Sequence, residues 1–181
     1  ANGTLFGDPE GGDKVVTTAL PLTEILPTAG SGAILQRTDP NLVAATNGRN
    51  QFGSTFFNSG TPTGDITKSG NTLVVTYDGW YLAEIAFGIS SASVPFGSNG
   101  WNLSPLLYKN GSPFKIGGDA IQTATRTNRY AQSSFIVYLA AGQNVSAGYD
   151  CDALTATPQF AADTNGVNTY FSLSLLNRSY A

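Results

Sequence analysis

Residues 80–90 read Trp-Tyr-Leu-Ala-Glu-Ile-Ala-Phe-Gly-Ile-Ser, and their pattern is the clearest indication of the fold. The odd positions are all apolar, namely Tyr81, Ala83, Ile85, Phe87 and Ile89. Successive side chains of a β-strand point to opposite faces of the sheet, so this alternation predicts a strand with one face in a hydrophobic core.

Two further stretches, 132–140 and 168–177, alternate in the same way and place Phe135, Val137, Phe171 and Leu173 in the core. The opposite faces of the three strands are too apolar to be simply solvated and too mixed to form a second core. A subunit interface fits that mixture. The predicted interface residues are Trp80, Leu82, Ile136, Tyr138, Tyr170 and Leu176. The alternative is that the N-terminal part of the chain covers this face.

Further short runs of β-branched and aromatic residues predict strands near 34–37, 52–57, 72–76, 103–109, 113–116, 120–126 and 143–149. Asn-Gly or Asp-Gly pairs, which supply the positive φ angles of tight turns, occur at 47–48, 78–79, 99–100, 110–111 and 165–166. About ten short strands without an amphipathic helix predict an all-β fold, either a β-sandwich or a jelly roll.

Residues 1–32 differ from the rest and are predicted to form an extended N-terminal arm before a jelly-roll domain at 33–181. Pro21 interrupts the apolar stretch of this arm, which makes a helix improbable there. The arm is nevertheless too apolar for a free linker, so it either covers its own domain or docks on a partner. The candidate docking residues are Val15, Val16, Leu20, Leu22, Ile25 and Leu26.

The composition argues against an enzyme and gives no sign of a cofactor. The chain has no histidine, which excludes Ser-His-Asp and Cys-His arrangements and every metal site that needs histidine. Only three glutamates are present, and two of them lie in the arm. Asp150 and Asp152 flank Cys151 after a predicted strand and are weak candidates for a calcium site. An exposed acidic turn is the favoured interpretation of this pair, so no metal is expected.

Charge and hydropathy also bear on possible partners. Charged residues make up 12% of the 181 residues, against about 25% in ordinary domains, and the net charge is −3. This acidic balance argues against nucleic acid as a partner. The sequence has no apolar run of 18 residues, so no membrane-spanning helix is expected.

Four segments resemble motifs of the tumour-necrosis-factor-like and complement-globular-head-like jelly rolls. The first, Tyr77 to Leu82, is similar to the family's P-G-Y-Y-x-F strand, and Leu106 to Gly111 is similar to its L-x-K-N-G hairpin. Residues 135–145 are similar to L-x-L-x-x-G-D-x-V, and 169–176 to F-S-G-F-L-L. The resemblance spans about residues 50–178, although Asp78 replaces a frequent proline and Asn144 a frequent aspartate.

The resemblance implies a ten-stranded sandwich that forms a tight homotrimer, with strands 80–90, 132–140 and 168–177 near the threefold axis. Bacterial and viral relatives share this plan. Together with the low charge, the apolar arm and the lack of visible chemistry, it suggests a bacteriophage virion protein that decorates the capsid or lies in a tail or fibre. Its partners are then a second and third copy and the major capsid protein or another virion protein. The alternative is a secreted or cell-surface recognition head that binds protein or glycan.

Overall fold

A computed structural model of the chain describes residues 31–90, 101–118, 120–121, 128–153, 158–162 and 164–179. Within these ranges the regular structure is entirely β: fourteen strands form two antiparallel sheets packed as a sandwich. None of the described residues belongs to a helix long and apolar enough to cross a membrane.

The first sheet, here called sheet A, is built around β7 (Gly79–Ser90). Strand β11 (Asn128–Leu139) pairs along one edge of β7, and β14 (Tyr170–Arg178) pairs along the other. The sheet continues from β14 to β1 (Gly32–Gln36) and then to β4 (Ser59–Thr63). Two short strands, β13 (Gln159–Ala161) and β2 (Val43–Ala44), extend it at the far end of β7.

The second sheet, sheet B, is centred on β8 (Trp101–Lys109) and β12 (Asn144–Ala153), which pair along most of their length. On the outer side of β8 lie β9 (Ser112–Ile116) and β10 (Ala120–Ile121). On the outer side of β12 lie β3 (Gly48–Gln51) and β6 (Thr72–Val75), and β5 (Ile66–Ser69) pairs with β6.

The core lies between the two sheets and contains the side chains that the alternation predicted. Tyr81, Ala83, Ile85 and Phe87 are fully buried on β7. Sheet B supplies the opposite wall of the core with Leu73, Leu103, Leu107, Val145 and Ala147. The predicted all-β sandwich, with one face of the strands at 80–90, 132–140 and 168–177 in the core, is therefore confirmed.

The strand predicted at 52–57 is wrong. Strand β3 ends at Gln51, and the chain turns back on itself, with the Phe56 N–H donating to the carbonyl of Gly53 at 3.0 Å. This turn lets Phe52 and Phe56 stack with their ring centroids 3.9 Å apart while both rings remain buried. The aromatic residues that favoured a strand instead fill one end of the core, where Phe52 also packs against Phe160.

The expected number of strands was too low, because five of the fourteen have only two to five residues and show no extended apolar alternation. The strands that the sequence analysis missed are β2, β3, β4, β5 and β13. Of the strand predicted at 120–126, only Ala120–Ile121 lies within the described residues. The first described strand, β1, begins at Gly32.

The turn predictions hold at three of the four pairs that are described. Asn110 and Gly111 have φ angles of 50° and 76°, as a two-residue hairpin between β8 and β9 requires. Gly48 and Gly166 also have positive φ. Gly79 does not, and it begins β7 instead of forming a tight turn. A Cβ there would lie 2.5 Å from the Asn177 carbonyl oxygen, so close approach of β14 explains this glycine.

Candidate functional site

The outer face of sheet A, on the side away from the core, carries all six residues predicted to form an interface. The register aligns Tyr138 with Trp80 and Ile136 with Leu82 across β11 and β7. Tyr170 lies opposite Ala86 on the other side of β7. The six positions are therefore brought together on one surface, although they come from three separate parts of the sequence.

These side chains remain accessible in the single chain. The exposed fractions are 48% for Trp80, 55% for Ile136, 37% for Tyr138 and 50% for Leu176. A β-bulge between Leu175 and Asn177 adds Leu176 to this surface at the end of β14. Contiguous large apolar side chains that stay accessible in a folded chain mark an interaction surface.

The aromatic end of this face is held in place before any partner arrives. Trp80 and Tyr138 meet edge to face, with ring centroids 5.5 Å apart. The Tyr138 hydroxyl donates to Asp78 Oδ2 at 3.4 Å, and Asp78 Oδ1 accepts the Ala141 N–H at 2.7 Å. Because the two rings are already fixed by packing and hydrogen bonds, a partner that covers them orders few additional rotamers.

A polar group lies in the middle of the same face. Glu84 projects from β7 between Ser134 of β11 and Ser172 of β14, and the register places the three directly opposite one another. Ser134 donates to Glu84 Oε1 at 3.2 Å, and Ser172 donates to Oε2 at 3.3 Å. The mixed character of the face was predicted from the sequence, but this arrangement of Glu84 between two serines was not.

Tyr170 lies on the same face, next to Glu84 and its two serines. Its hydroxyl accepts a hydrogen bond from Gln132 Nε2 at 3.2 Å. Burial, together with the nearby Glu84 carboxylate, raises the pKa of Tyr170. The phenol is therefore neutral near pH 7 and serves as a hydrogen-bonding group of the face.

Sequence analysis missed four exposed side chains that border this surface. Ile34 of β1 and Tyr130 of β11 extend the face itself, and Phe114 and Ile116 of β9 lie near its edge. Tyr130 was missed because the predicted strand began at 132. Phe114 and Ile116 alternate along β9, so the same period-two pattern could have indicated them.

Among the described strands β11 pairs only with β7, and two lysines from the β8–β9 hairpin cover its other edge. Lys115 Nζ donates to the Ile136 carbonyl at 2.7 Å, and Lys109 Nζ donates to the Tyr138 carbonyl at 2.9 Å. The two ammonium groups also lie 5.8 and 5.4 Å from the ring centroid of Phe114. Lysines at a strand edge protect it from unwanted strand addition.

A buried charge network anchors the start of the described chain beside this face. Arg178 of β14 forms an ion pair with Asp65, and Ser31 Oγ donates to the same carboxylate at 2.9 Å. The Leu175 N–H donates to the Ser31 carbonyl at 3.0 Å. Burial and the Asp65 carboxylate raise the pKa of the neighbouring Tyr81 to about 12. Ser31, the first described residue, is thus held at the edge of sheet A.

The weak metal candidates are placed differently from the prediction. Asp150 and Asp152 lie within β12 and not in a loop, because β12 continues to Ala153. Asp150 pairs with Arg49 at 3.2 Å, and Asp152 is exposed. Among the described residues, no group of three or more acidic or cysteine side chains is arranged to hold a metal ion.

Cys151, between these aspartates, is buried in the core. Burial, followed by the Asp152 and Asp150 carboxylates, raises the pKa of its thiol to about 11.

The six arm residues predicted to dock on a partner lie outside the described residues. They are Val15, Val16, Leu20, Leu22, Ile25 and Leu26.

Comparison with solved structures identifies the fold. The chain is similar to the TNF protein Eiger from S. frugiperda, with a TM-score of 0.53 and 11% identity over 83% of this chain and 94% of that chain. Murine APRIL gives a TM-score of 0.47 at 13% identity, over 80% of this chain and 99% of its own. Rabbit GITRL gives 0.39 at 17% identity, over 63% and 78%. No family model and no curated protein matches the chain. The sandwich is a TNF-like jelly roll.

Proposed function

We propose that this TNF-like module is a non-enzymatic structural and binding protein that forms a homotrimer through the outer face of sheet A. The observation that carries the proposal is the cluster of exposed Trp80, Ile136, Tyr138 and Leu176 with the half-buried Leu82, which spans three strands. Apolar surface of this kind is stabilised when it is removed from water, and a second copy of the chain offers a matching apolar surface.

The polar groups of the face have hydrogen-bond partners within the single chain. Gln132 and Tyr170 hydrogen-bond to each other, and Glu84 accepts from two serines. Buried polar groups need partners, and these groups already have partners within one chain. The lysines on the β11 edge favour association through side chains over continuous strand pairing between copies.

The oligomeric state tests the proposal directly. Light scattering of the purified chain at micromolar concentration is expected to give about three times the chain mass of 18.9 kDa. A monomer under these conditions contradicts the trimer, and a dimer contradicts its symmetry.

We further propose that the trimer decorates a bacteriophage virion and is attached to the capsid or another virion protein through its N-terminal arm. Any threefold assembly places equivalent residues in one ring, so three copies of Ser31 would start three arms at the same level. Three arms that reach one large particle bind with avidity even where each arm binds weakly. The low charge of the chain and the six apolar side chains of the arm support this role.

The genomic context tests the virion proposal without a purified particle. Genes for capsid or tail proteins are expected on either side of the gene for this chain. Neighbouring genes for secretion or cell-surface anchoring would favour the recognition-head alternative instead.

A further inference from the structure

The central row of the sheet A face joins five strands around a single carboxylate. Going from β11 to β4, the row contains Ser134, Glu84, Ser172, Ile34 and Thr61, and we call it the carboxylate row. Glu84 is half-buried in the single chain, with Leu82 before it and Ala86 after it on the same side of β7. The carboxylate is therefore surrounded by neutral groups at the centre of the proposed interface.

No described side chain supplies a positive charge to Glu84. The described ion pairs are Arg37–Asp39, Arg49–Asp150 and Arg178–Asp65, and none of them involves this carboxylate. Lys109 and Lys115 lie at the outer edge of β11 and donate to backbone carbonyls there.

The other titratable groups around Glu84 are few. On the outer face, β11 contributes Tyr130 and Tyr138, and β14 contributes Tyr170. The other described side chains of the face on β1 and β4 are neutral, and they include Ile34, Gln36, Ser59, Thr61 and Thr63. Asp78 lies at the end of the face, where Tyr138 and Ala141 donate to it.

Resting on the proposed trimer, we infer that Glu84 makes assembly dependent on pH, so that the trimer takes up protons as it forms. Covering the face removes water from a carboxylate whose described partners are two neutral hydroxyls, and burial penalises the charged form. Threefold symmetry also places three such carboxylates in one ring, where like charges repel. A protonated carboxyl avoids both costs and can donate to a serine oxygen.

The direction of the effect follows from linkage. If the trimer binds more protons than three free chains, its association constant rises as pH falls and declines as pH rises. The overall acidity of the chain, with a pI near 4.7, acts in the same direction, so the experiment must separate one residue from the total charge. The effect of Glu84 and the effect of the total charge are both measurable at pH values above the pI.

Sedimentation equilibrium between pH 5.5 and 8 tests this inference on the full chain. For the unmodified protein we expect the association constant of the trimer to rise by at least about ten-fold as the pH falls from 8 to 5.5. Ten-fold corresponds to one unit of differential proton affinity. Glu84→Gln keeps the shape and removes the charge, so it should trimerise more tightly at pH 8 and lose most of the pH dependence. Asp152→Asn removes the same charge from an exposed position on β12 and should keep the dependence of the unmodified chain.

If the trimer is too tight for sedimentation, subunit exchange between labelled trimers gives the same comparison, with faster exchange expected at pH 8. A trimer whose stability does not change with pH, or a Glu84→Gln variant that follows the unmodified chain, overturns the role of Glu84 and leaves the proposed trimer intact. Weaker assembly of Glu84→Gln would show that a neighbour supplies a cation, and it also overturns the inference. A chain that is monomeric at every pH refutes the trimer and the inference together.

Discussion

Among single residues, Phe171 shows how much one core side chain contributes to the stability of the fold. It is fully buried on β14 and opposite Ile85 of β7. Phe171→Ala is expected to lower the free energy of unfolding by about 3–5 kcal/mol, because it removes apolar contacts and leaves a cavity. Chemical denaturation measures this value, with Thr67→Ala, exposed on β5, as the control. A loss below about 1 kcal/mol would contradict the position of Phe171 in the core.

Cys151 gives a second residue-scale prediction, which concerns its reactivity. With a thiol pKa of about 11, the reactive thiolate is about one molecule in a thousand at pH 8. A thiol-specific disulfide reagent is therefore expected to react at least about 100-fold more slowly with the folded chain than with the chain in guanidinium. The rate of the folded chain should rise with pH up to the region of its pKa. Equal rates in the two states would show that β12 opens readily at this point.

Among the secondary-structure elements, the strands with clear apolar alternation or β-branched runs could be predicted from sequence, and five short strands could not. β7 and β14 bury every second residue, so their alternation is visible without knowledge of the partners. β4 reads Ser-Gly-Thr-Pro-Thr, and β3 reads Gly-Arg-Asn-Gln, so pairing with neighbours and not burial defines them. The run at 52–57 shows the opposite error, in which aromatic residues with high strand propensity form a packed turn because tertiary contacts prevail.

The candidate face was predictable in its apolar part and not in its polar part. Trp80 and Leu82 alternate with core residues and could be assigned to the face from β7 alone. The contacts of Glu84 depend on the register of strands that carry residues 84, 134 and 172, which are far apart in sequence. No local pattern encodes that register, so the polar centre of the face required the structure.

The β8–β9 hairpin is expected to protect the outer edge of β11 from aggregation. Lys109 and Lys115 occupy two carbonyls on the free edge of β11, and replacing both with methionine leaves these acceptors open. We expect the Lys109→Met/Lys115→Met chain to aggregate faster, since an open strand edge pairs with other chains. Turbidity and thioflavin fluorescence during incubation measure the difference. The Lys109→Arg/Lys115→Arg chain keeps the charge and the donors and should remain soluble, whereas equal behaviour of the two variants contradicts a protective role.

At the scale of the whole molecule, the sheet A face and the arm are expected to have separate tasks, assembly and attachment. Tyr138→Asp should weaken the trimer, because three added carboxylates would come together in one interface near the existing Glu84 charges. Light scattering at several concentrations measures the shift toward monomer. Leu42→Asp adds the same charge in the loop before β2 and should leave the mass unchanged. A Tyr138→Asp chain that stays fully trimeric with unchanged stability would place the interface elsewhere.

The final prediction concerns residues 1–30. The first described strand begins at Gly32, and Ser31 is held by Asp65 and the Leu175 N–H, so the described strands pair with one another without a residue before 31. A chain that begins at Ser31 is therefore expected to fold and to form the same trimer. Its binding to particles that lack this protein should fall by at least about 100-fold, since three weak attachments that act together are lost at once. Co-sedimentation with such particles measures the loss.

A second variant separates the chemistry of the arm from its mere presence. Serine at all six apolar positions, Val15, Val16, Leu20, Leu22, Ile25 and Leu26, keeps the length of the arm and should bind particles as weakly as the truncated chain. If this variant binds normally, backbone or polar contacts of the arm hold the trimer. If the truncated chain unfolds or loses its trimeric mass, the arm covers its own domain, and the face of sheet A is then partly an intramolecular surface. If the truncated chain folds, trimerises and still joins the particle, attachment runs through the loops of the sandwich and the role assigned to the arm is wrong.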